Sequence, residues 1–225
     1  YRTFPGTDKP YTFRSLMGFS GGTKSSATFH LTYYDLATDE THEATVTVGP
    51  RRQIEKQNVL EELFGLPPGS PSQGPIFVES DGFGTIYCKV YSNLEKGTLG
   101  DGFPVVPIPS EGLTGGISQK PIFIDDLEQS IDRTRGTRSN LILNEVLGQA
   151  TTVTVRLYEA GNRSCPIAEK DVPIGPLKKV QLSTVFDDLG LNTAERRKDR
   201  KNVQCVVSHK SGNGLVSAIV TTIDN

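Results

Sequence analysis

Tryptophan is absent from this chain of 225 residues, methionine occurs once, and there are only three cysteines. Without an indole, the best surface for stacking sugar rings is missing, and Tyr33, Tyr87, Tyr91 and Phe83 are left as the aromatic faces open to such a role. Three cysteines cannot all pair within one molecule, so a disulfide framework is excluded as the source of the fold. Cys88 and Cys205 lie in apolar, strand-like runs that suit buried thiols, whereas Cys165, in the turn "NRSCP", is expected at the surface. None has the spacing of a zinc or redox site. No stretch approaches the roughly 18 consecutive apolar residues of a membrane helix, and no leader-like segment opens the chain. The first residue is Tyr1, not Met, which reads as a processed or excised piece of a longer protein. The net charge is −2. No global field therefore draws the chain to nucleic acid or anionic lipid.

What is present is one unit written twice. "FRSLMGF" (13–19) matches "TRSNLIL" (137–143), with Arg14 on Arg138. "ATFHLTYYD" (27–35) matches "TTVTVRLYE" (151–159), placing Tyr34 on Tyr158 and Asp35 on Glu159. Gly49-Pro50 then meets Gly175-Pro176, and Gly84 meets Gly214, always in the same order. Four ordered blocks with small drifts at loops indicate two copies of a domain, residues 1–112 and 113–225. Within each copy, short runs rich in Val, Ile, Thr, Tyr and Phe alternate with polar residues and are punctuated by Gly, Pro, Asn and Asp. About six or seven such runs per copy predict an all-β chain of two tandem β-sandwich domains, since each half-apolar sheet needs a second sheet to cover it.

Each copy has one helical signal. Asn58 with Glu61, and Thr184 with Asp187, have the spacing of a capping box, followed by "VLEELFGL" and "VFDDLGL". Leu60, Leu63 and Phe64, and Val185, Phe186 and Leu189, supply an apolar face. Gly65 and Gly190 are placed to stop a helix of one or two turns that crosses between sheets. The Gly- and Pro-dense stretch between the copies reads as a linker, with "FPVVPIP" as an extended end of the first.

At Arg138-Ser139-Asn140-Leu141, Leu157-Tyr158, Gly175-Pro176, Val185 through Leu191 and Val220 through Asp224, the chain resembles a tandem immunoglobulin-like repeat of large secreted bacterial proteins. The resemblance spans nearly the whole chain and implies an immunoglobulin-like fold and an extracellular or cell-surface location. Its motifs are structural. The first copy departs from them, lacking the Asn after Arg14-Ser15.

No reactive constellation emerges. "GFSGG" (18–22) lacks the spacing of a nucleophile elbow, and His30, His42 and His209 do not have metal-ligand spacing. Asp125, Asp126, Glu128 and Asp132 in "FIDDLEQSIDR" cluster where calcium could stiffen a joint, but Arg133, Arg135 and Arg138 follow to neutralise them. "ERRKDRK" (195–201) reads as a solvated basic loop without the aromatics of a nucleic-acid site. The repeated Arg14 and Arg138 are expected in structural ion pairs or on backbone carbonyls, with Asp35 and Glu159 as partners. The chain is thus expected to be a non-catalytic interaction or spacer module. It needs no cofactor, and its partner is a protein or polysaccharide. The alternative is a carbohydrate-binding module beside an extracellular enzyme.

Overall fold

The computed structural model describes residues 13–70, 72–94, 97–103, 105, 120–132, 136–162 and 164–224. The chain is all-β and divides into two compact units, Tyr1–Pro107 and Ile108–Asn225. The residues that separate Val105 from Lys120 lie outside the described ones, and most of the expected extended end "FPVVPIP" falls there.

Unit 1 contains β1 (Arg14–Gly21), β2 (Ala27–Tyr34), β3 (Thr41–Val48), β4 (Gln53–Lys56), the one-turn helix α1 (Val59–Glu62), β5 (Ile76–Asp81), β6 (Gly84–Leu94) and β7 (Gly97–Phe103). One sheet has the order β4-β1-β6-β7 and the other β3-β2-β5. Strand alternation sends Met17 and Phe19 of β1, Phe29 and Leu31 of β2, and Val46 and Val48 of β3 into one core. Both sheets therefore cover the same apolar interior, as in a β-sandwich, and Val59 of α1 seals it. Burying each such side chain contributes roughly 1.5–3 kcal/mol.

Unit 2 contains β8 (Ile122–Gln129), β9 (Thr137–Glu145), β10 (Thr151–Tyr158), β11 (Ala168–Ile174), β12 (Lys179–Leu182), the helix α2 (Val185–Asp188), β13 (Arg200–Gly212) and β14 (Val216–Asp224). Its strands run in the order β11-β10-β13-β8-β9-β12, with β14 also on β9. The link between β8 and β9 is a single pair, Gln129 with Arg138. Leu141, Leu143, Val153, Val155, Leu157, Val172 and Ile174 fill the core.

The registers repeat residue by residue. Met17 opposite Lys56 in unit 1 corresponds to Leu141 opposite Leu182 in unit 2. Phe29 opposite Val46 corresponds to Val153 opposite Val172. The sequence match drifts only at the last strand. Met17 lies opposite Cys88 as Leu141 lies opposite Val220, so β14 starts two residues later than the pairing of Gly84 with Gly214 implies. A longer turn at "GNGL" takes up the difference.

Three local readings need correction. "GTLGDGF", within the Gly-rich stretch read as a linker, is β7, paired along β6. The acid-rich stretch read as an interdomain joint forms most of β8, paired with β13 inside unit 2. The helix caps also use other acids than expected. Neither Asn58 nor Thr184 caps through its side chain. Instead Glu62 Oε1 accepts from Asn58 N at 3.0 Å and Asp188 Oδ2 from Thr184 N at 3.3 Å. In a helix of one turn the second acid of each pair, four residues on, is the one that can fold back over the first amides. Gly65 and Gly190 end the helices at φ of +66° and +81°, as expected.

Candidate functional site

The most elaborate polar construction is at one end of unit 2, around Glu145, the last residue of β9. Its side chain is fully buried. Oε1 accepts from Leu147 N at 2.7 Å and Leu215 N at 3.3 Å, and Oε2 from Gly148 N at 2.9 Å, Gln149 N at 3.1 Å and Leu177 N at 2.8 Å. Five backbone amides from three turns thus converge on one carboxylate, a concave nest of the type that binds anions. The anion is built into the chain, so the nest is a structural joint with its acceptor positions filled. Sequence reasoning missed it because "NEVLGQ" looks like an ordinary turn; the acid three residues before a glycine was the available signal.

A second network gathers the run "ERRKDRK": Arg197 and Arg200 turn inward, while Glu195, Arg196, Lys198, Asp199 and Lys201 stay exposed, as expected of a solvated loop. Arg197 Nη1 meets Asp187 Oδ1 at 2.6 Å, Nη2 donates to Ser130 O at 2.8 Å, and Nε to Ile131 O at 3.1 Å. Arg200 is 8% exposed and donates to Gln129 Oε1 at 2.6 Å and Arg196 O at 2.7 Å. Its burial lowers its pKa. Arg196 donates to Ile167 O at 2.7 Å and Gly190 O at 3.2 Å. Planar guanidinium groups suit this multidentate capture of carbonyls. They fasten the loop after α2 to the end of β8. Asp187, expected as a cap, is instead the carboxylate of this network.

The expected ion pairs are placed differently. Arg14 is exposed at the start of β1. Asp35 is buried and accepts from Ala37 N at 2.8 Å, within its own turn. Arg138 reaches a backbone carbonyl, one of the two kinds of partner expected for it: it donates to Ser183 O at 2.7 Å and to Asn140 Oδ1 at 3.0 Å. Glu159 follows β10 and faces the start of β13, so Lys198 at 2.7 Å and Arg200 at 3.6 Å are its cations. The hydrogen bond from Lys198 is the main reason its carboxyl titrates below the usual range.

The histidines stay apart. His30 contacts Asp81 at 3.2 Å, His42 stacks on Tyr33 with centroids 6.0 Å apart, and His209 Nε2 lies 2.9 Å from Gly212 O. Asp125 accepts from Gln204 Nε2 at 2.7 Å. No group of three or more potential metal ligands occurs among the described residues. Cys205 is buried, which pushes its thiol up to about 12; burial also raises Cys88, and Cys165 is exposed.

Among the four aromatic residues considered for sugar stacking, Tyr33 and Tyr91 are buried. Tyr87 is 42% exposed and Phe83 87%. The Tyr87 ring lies against Gly18, where an added Cβ would come within 2.0 Å of it. Its hydroxyl donates to Glu55 and accepts from Gln53 Nε2 at 2.9 Å. The bond to Glu55 raises the phenol's pKa. Unit 2 also has a shallow cavity of about 180 Å³ lined by Ile122, Val153, Val207, Leu215 and Val216, with Lys120 and His209 beside them. In unit 1 the position of Val153 is taken by Phe29, whose ring packs against Gly84. A scan of protein-family models, a search of curated proteins and a search of solved structures each returned no match.

Proposed function

We propose that the chain is a pair of tandem immunoglobulin-like β-sandwich domains acting as a non-catalytic interaction or spacer module of a secreted or cell-surface protein. The observation that carries this reading is the repeated wiring: the same strand pairings and registers occur twice in succession. Such units present turns at their ends on a rigid frame, where recognition commonly resides. The chemistry-bearing side chains support it too. Glu145, Asp187, Arg197 and Arg200 are engaged in holding turns together. The extracellular location rests on the family resemblance. The purified chain is expected to turn over no ester, glycoside or peptide substrate in a broad panel. Turnover at constant specific activity through repurification overturns the reading.

The exposed Tyr87 favours a second reading, polysaccharide binding. Its ring lies against the sheet at Gly18 and is oriented by Glu55 and Gln53. Retention on a polysaccharide column that is lost in Tyr87→Ala, with the melting temperature unchanged, would establish it. Tyr91, being buried with its hydroxyl on Gln57 O at 3.0 Å, is unsuited to that test.

A further inference from the structure

One sheet edge is guarded in unit 2 and unguarded in unit 1. The edge is β11 in unit 2 and its counterpart β3 in unit 1, because Val153 faces Val172 as Phe29 faces Val46. Each strand ends its sheet among the described residues. In unit 2 the strand that precedes β9, β8, adds beside β13, on the far side of β10 from β11. The bare edge is therefore common to both units, and only its residues differ.

Backbone hydrogen bonds fix which groups point outward. Tyr34 N donates to Pro75 O at 3.2 Å, so the even-numbered residues of β2 bond toward β5 and the odd-numbered ones toward β3. Asp35 N, donating to Glu40 O at 2.9 Å, continues that alternation. His42, Ala44, Val46 and Val48 thus exchange bonds with β2, and the N–H and C=O groups of Glu43, Thr45 and Thr47 point along the open edge. In β11 the matching outward positions are Glu169, Asp171 and Pro173, since Ile167 N donates to Leu157 O at 2.8 Å. Pro173 has no N–H to offer. Lys170, opposite the core residue Val155, sets a charge on the inner side of the edge, where its Nζ donates to Asp188 O at 3.1 Å. An edge proline and an inward-pointing charge both stop a further strand from pairing. Unit 1 has Thr47 in place of Pro173 and Ala44 in place of Lys170.

The unguarded strand is complementary to itself. In an antiparallel pair of β3 strands with Thr45 opposite Thr45, Glu43 faces Thr47 and the small Ala44 faces Val46. The two Glu43 side chains are then kept apart, and Thr45 meets Thr45, a favourable cross-strand pair. The outward N–H and C=O groups from Glu43 to Thr47 all find partners in that register. Ala44 faces the core and is only half-buried, whereas Val46 and Val48 beside it are buried, so apolar surface is left to cover at this edge. We propose that two copies of the chain associate through β3 of unit 1, about a two-fold axis at Thr45, to form one continuous sheet. Such an interface is isologous and closes at the dimer. The association goes beyond the interaction-module reading and does not depend on it.

The test is sedimentation equilibrium of the full chain from about 1 to 500 μM, with residue-resolved hydrogen exchange at both ends of the range. A monomer–dimer equilibrium is expected. Exchange at Glu43, Thr45 and Thr47 is expected to slow at least about tenfold in the dimer, and exchange at Glu169 and Asp171 on the guarded edge to stay unchanged. Ala44→Lys and Thr47→Pro, which carry the guards of unit 2 into unit 1, are each expected to weaken dimerisation at least about tenfold. The exchange pattern of the unaltered chain decides the matter if a variant does not fold. A monomer throughout the range, a dimer that both folded variants leave intact, or slow exchange at the three β3 amides in the dilute monomer overturns the proposal. Any of these leaves the interaction-module reading standing, because that reading falls only to catalytic turnover.

Discussion

Unit 1 and unit 2 close the same end of the same strand pattern by opposite means. Where unit 2 has Glu145, unit 1 has Gly21, and the matching backbone bond is kept: Gly21 N donates to Arg52 O at 3.0 Å, as Glu145 N does to Lys178 O at 3.0 Å. The turn amide that Glu145 captures at Leu177 belongs, in unit 1, to Arg51, and it donates to Gly22 O at 2.9 Å. Both residues have positive φ, +53° and +57°. Unit 1 thus closes by direct backbone contact, tight enough that a Cβ on Gly21 would lie 2.2 Å from Gly49 O. Unit 2 spreads its turns apart and fills the gap with a carboxylate. One strand framework therefore tolerates two end closures, provided every buried amide finds an acceptor.

The largest expected effect breaks this contrast from both sides. Glu145→Ala leaves five amides without their acceptor and should destabilise unit 2 by at least about 3 kcal/mol. Residue-resolved hydrogen exchange should show the loss confined to β8–β14. Gly21→Glu should do the reverse and damage unit 1 alone. Equal loss in both units in either variant would refute independent closure.

Next in size is the arginine network, for which unit 1 has the uncharged loop "PPGSPSQGP". Arg197→Ala takes the guanidinium away from the largely buried Asp187 carboxylate and should cost about 2–4 kcal/mol. Asp187→Ala combined with it should cost less than the two separate losses added, as a double-mutant cycle in urea would measure. Strict additivity would mean that the pair is not coupled.

The helix caps sharpen the comparison where the units agree. Glu62→Ala and Asp188→Ala should each cost about 0.5–1 kcal/mol, and Asn58→Ala distinctly less, because its side chain accepts no cap bond. A larger loss for Asn58→Ala than for Glu62→Ala would restore the capping-box reading.

The smallest effect is on pH. Lys198 and Arg200 hold the Glu159 carboxyl below its ordinary 4.5 in the folded state. The stabilisation is complete above that value and is lost as the pH falls through the lowered pKa. For so exposed a pair it is below about 1 kcal/mol. Glu159→Gln should therefore flatten the acid limb of a urea-midpoint curve slightly and leave the midpoint at pH 7 nearly unchanged.

Much of the fold was legible because its signals are local. Alternation at "ATFHLTYY" and "TVTVRLY" marks strands wherever they dock, and Gly65 and Gly190 stop helices by their own backbone freedom. What stayed hidden depends on partners distant in sequence. The charge run at 195–201 could not reveal that its arginines bind carbonyls at Ser130, Ile131 and Ile167. Nothing near Glu145 announced amides at Leu177 and Leu215. β7 escaped notice because a strand of "GTLGDGF" owes its form to β6 and not to its own composition.

Adjacent sister domains on one ribosomal product risk trading strands as they emerge, since each offers the other a familiar template. The Gly21 and Glu145 closures would be incompatible fasteners in such an exchange. A hybrid with the glycine-type strand among unit 2's turns would leave amides empty, and the converse hybrid would force a carboxylate into a space with no room for even a methyl group.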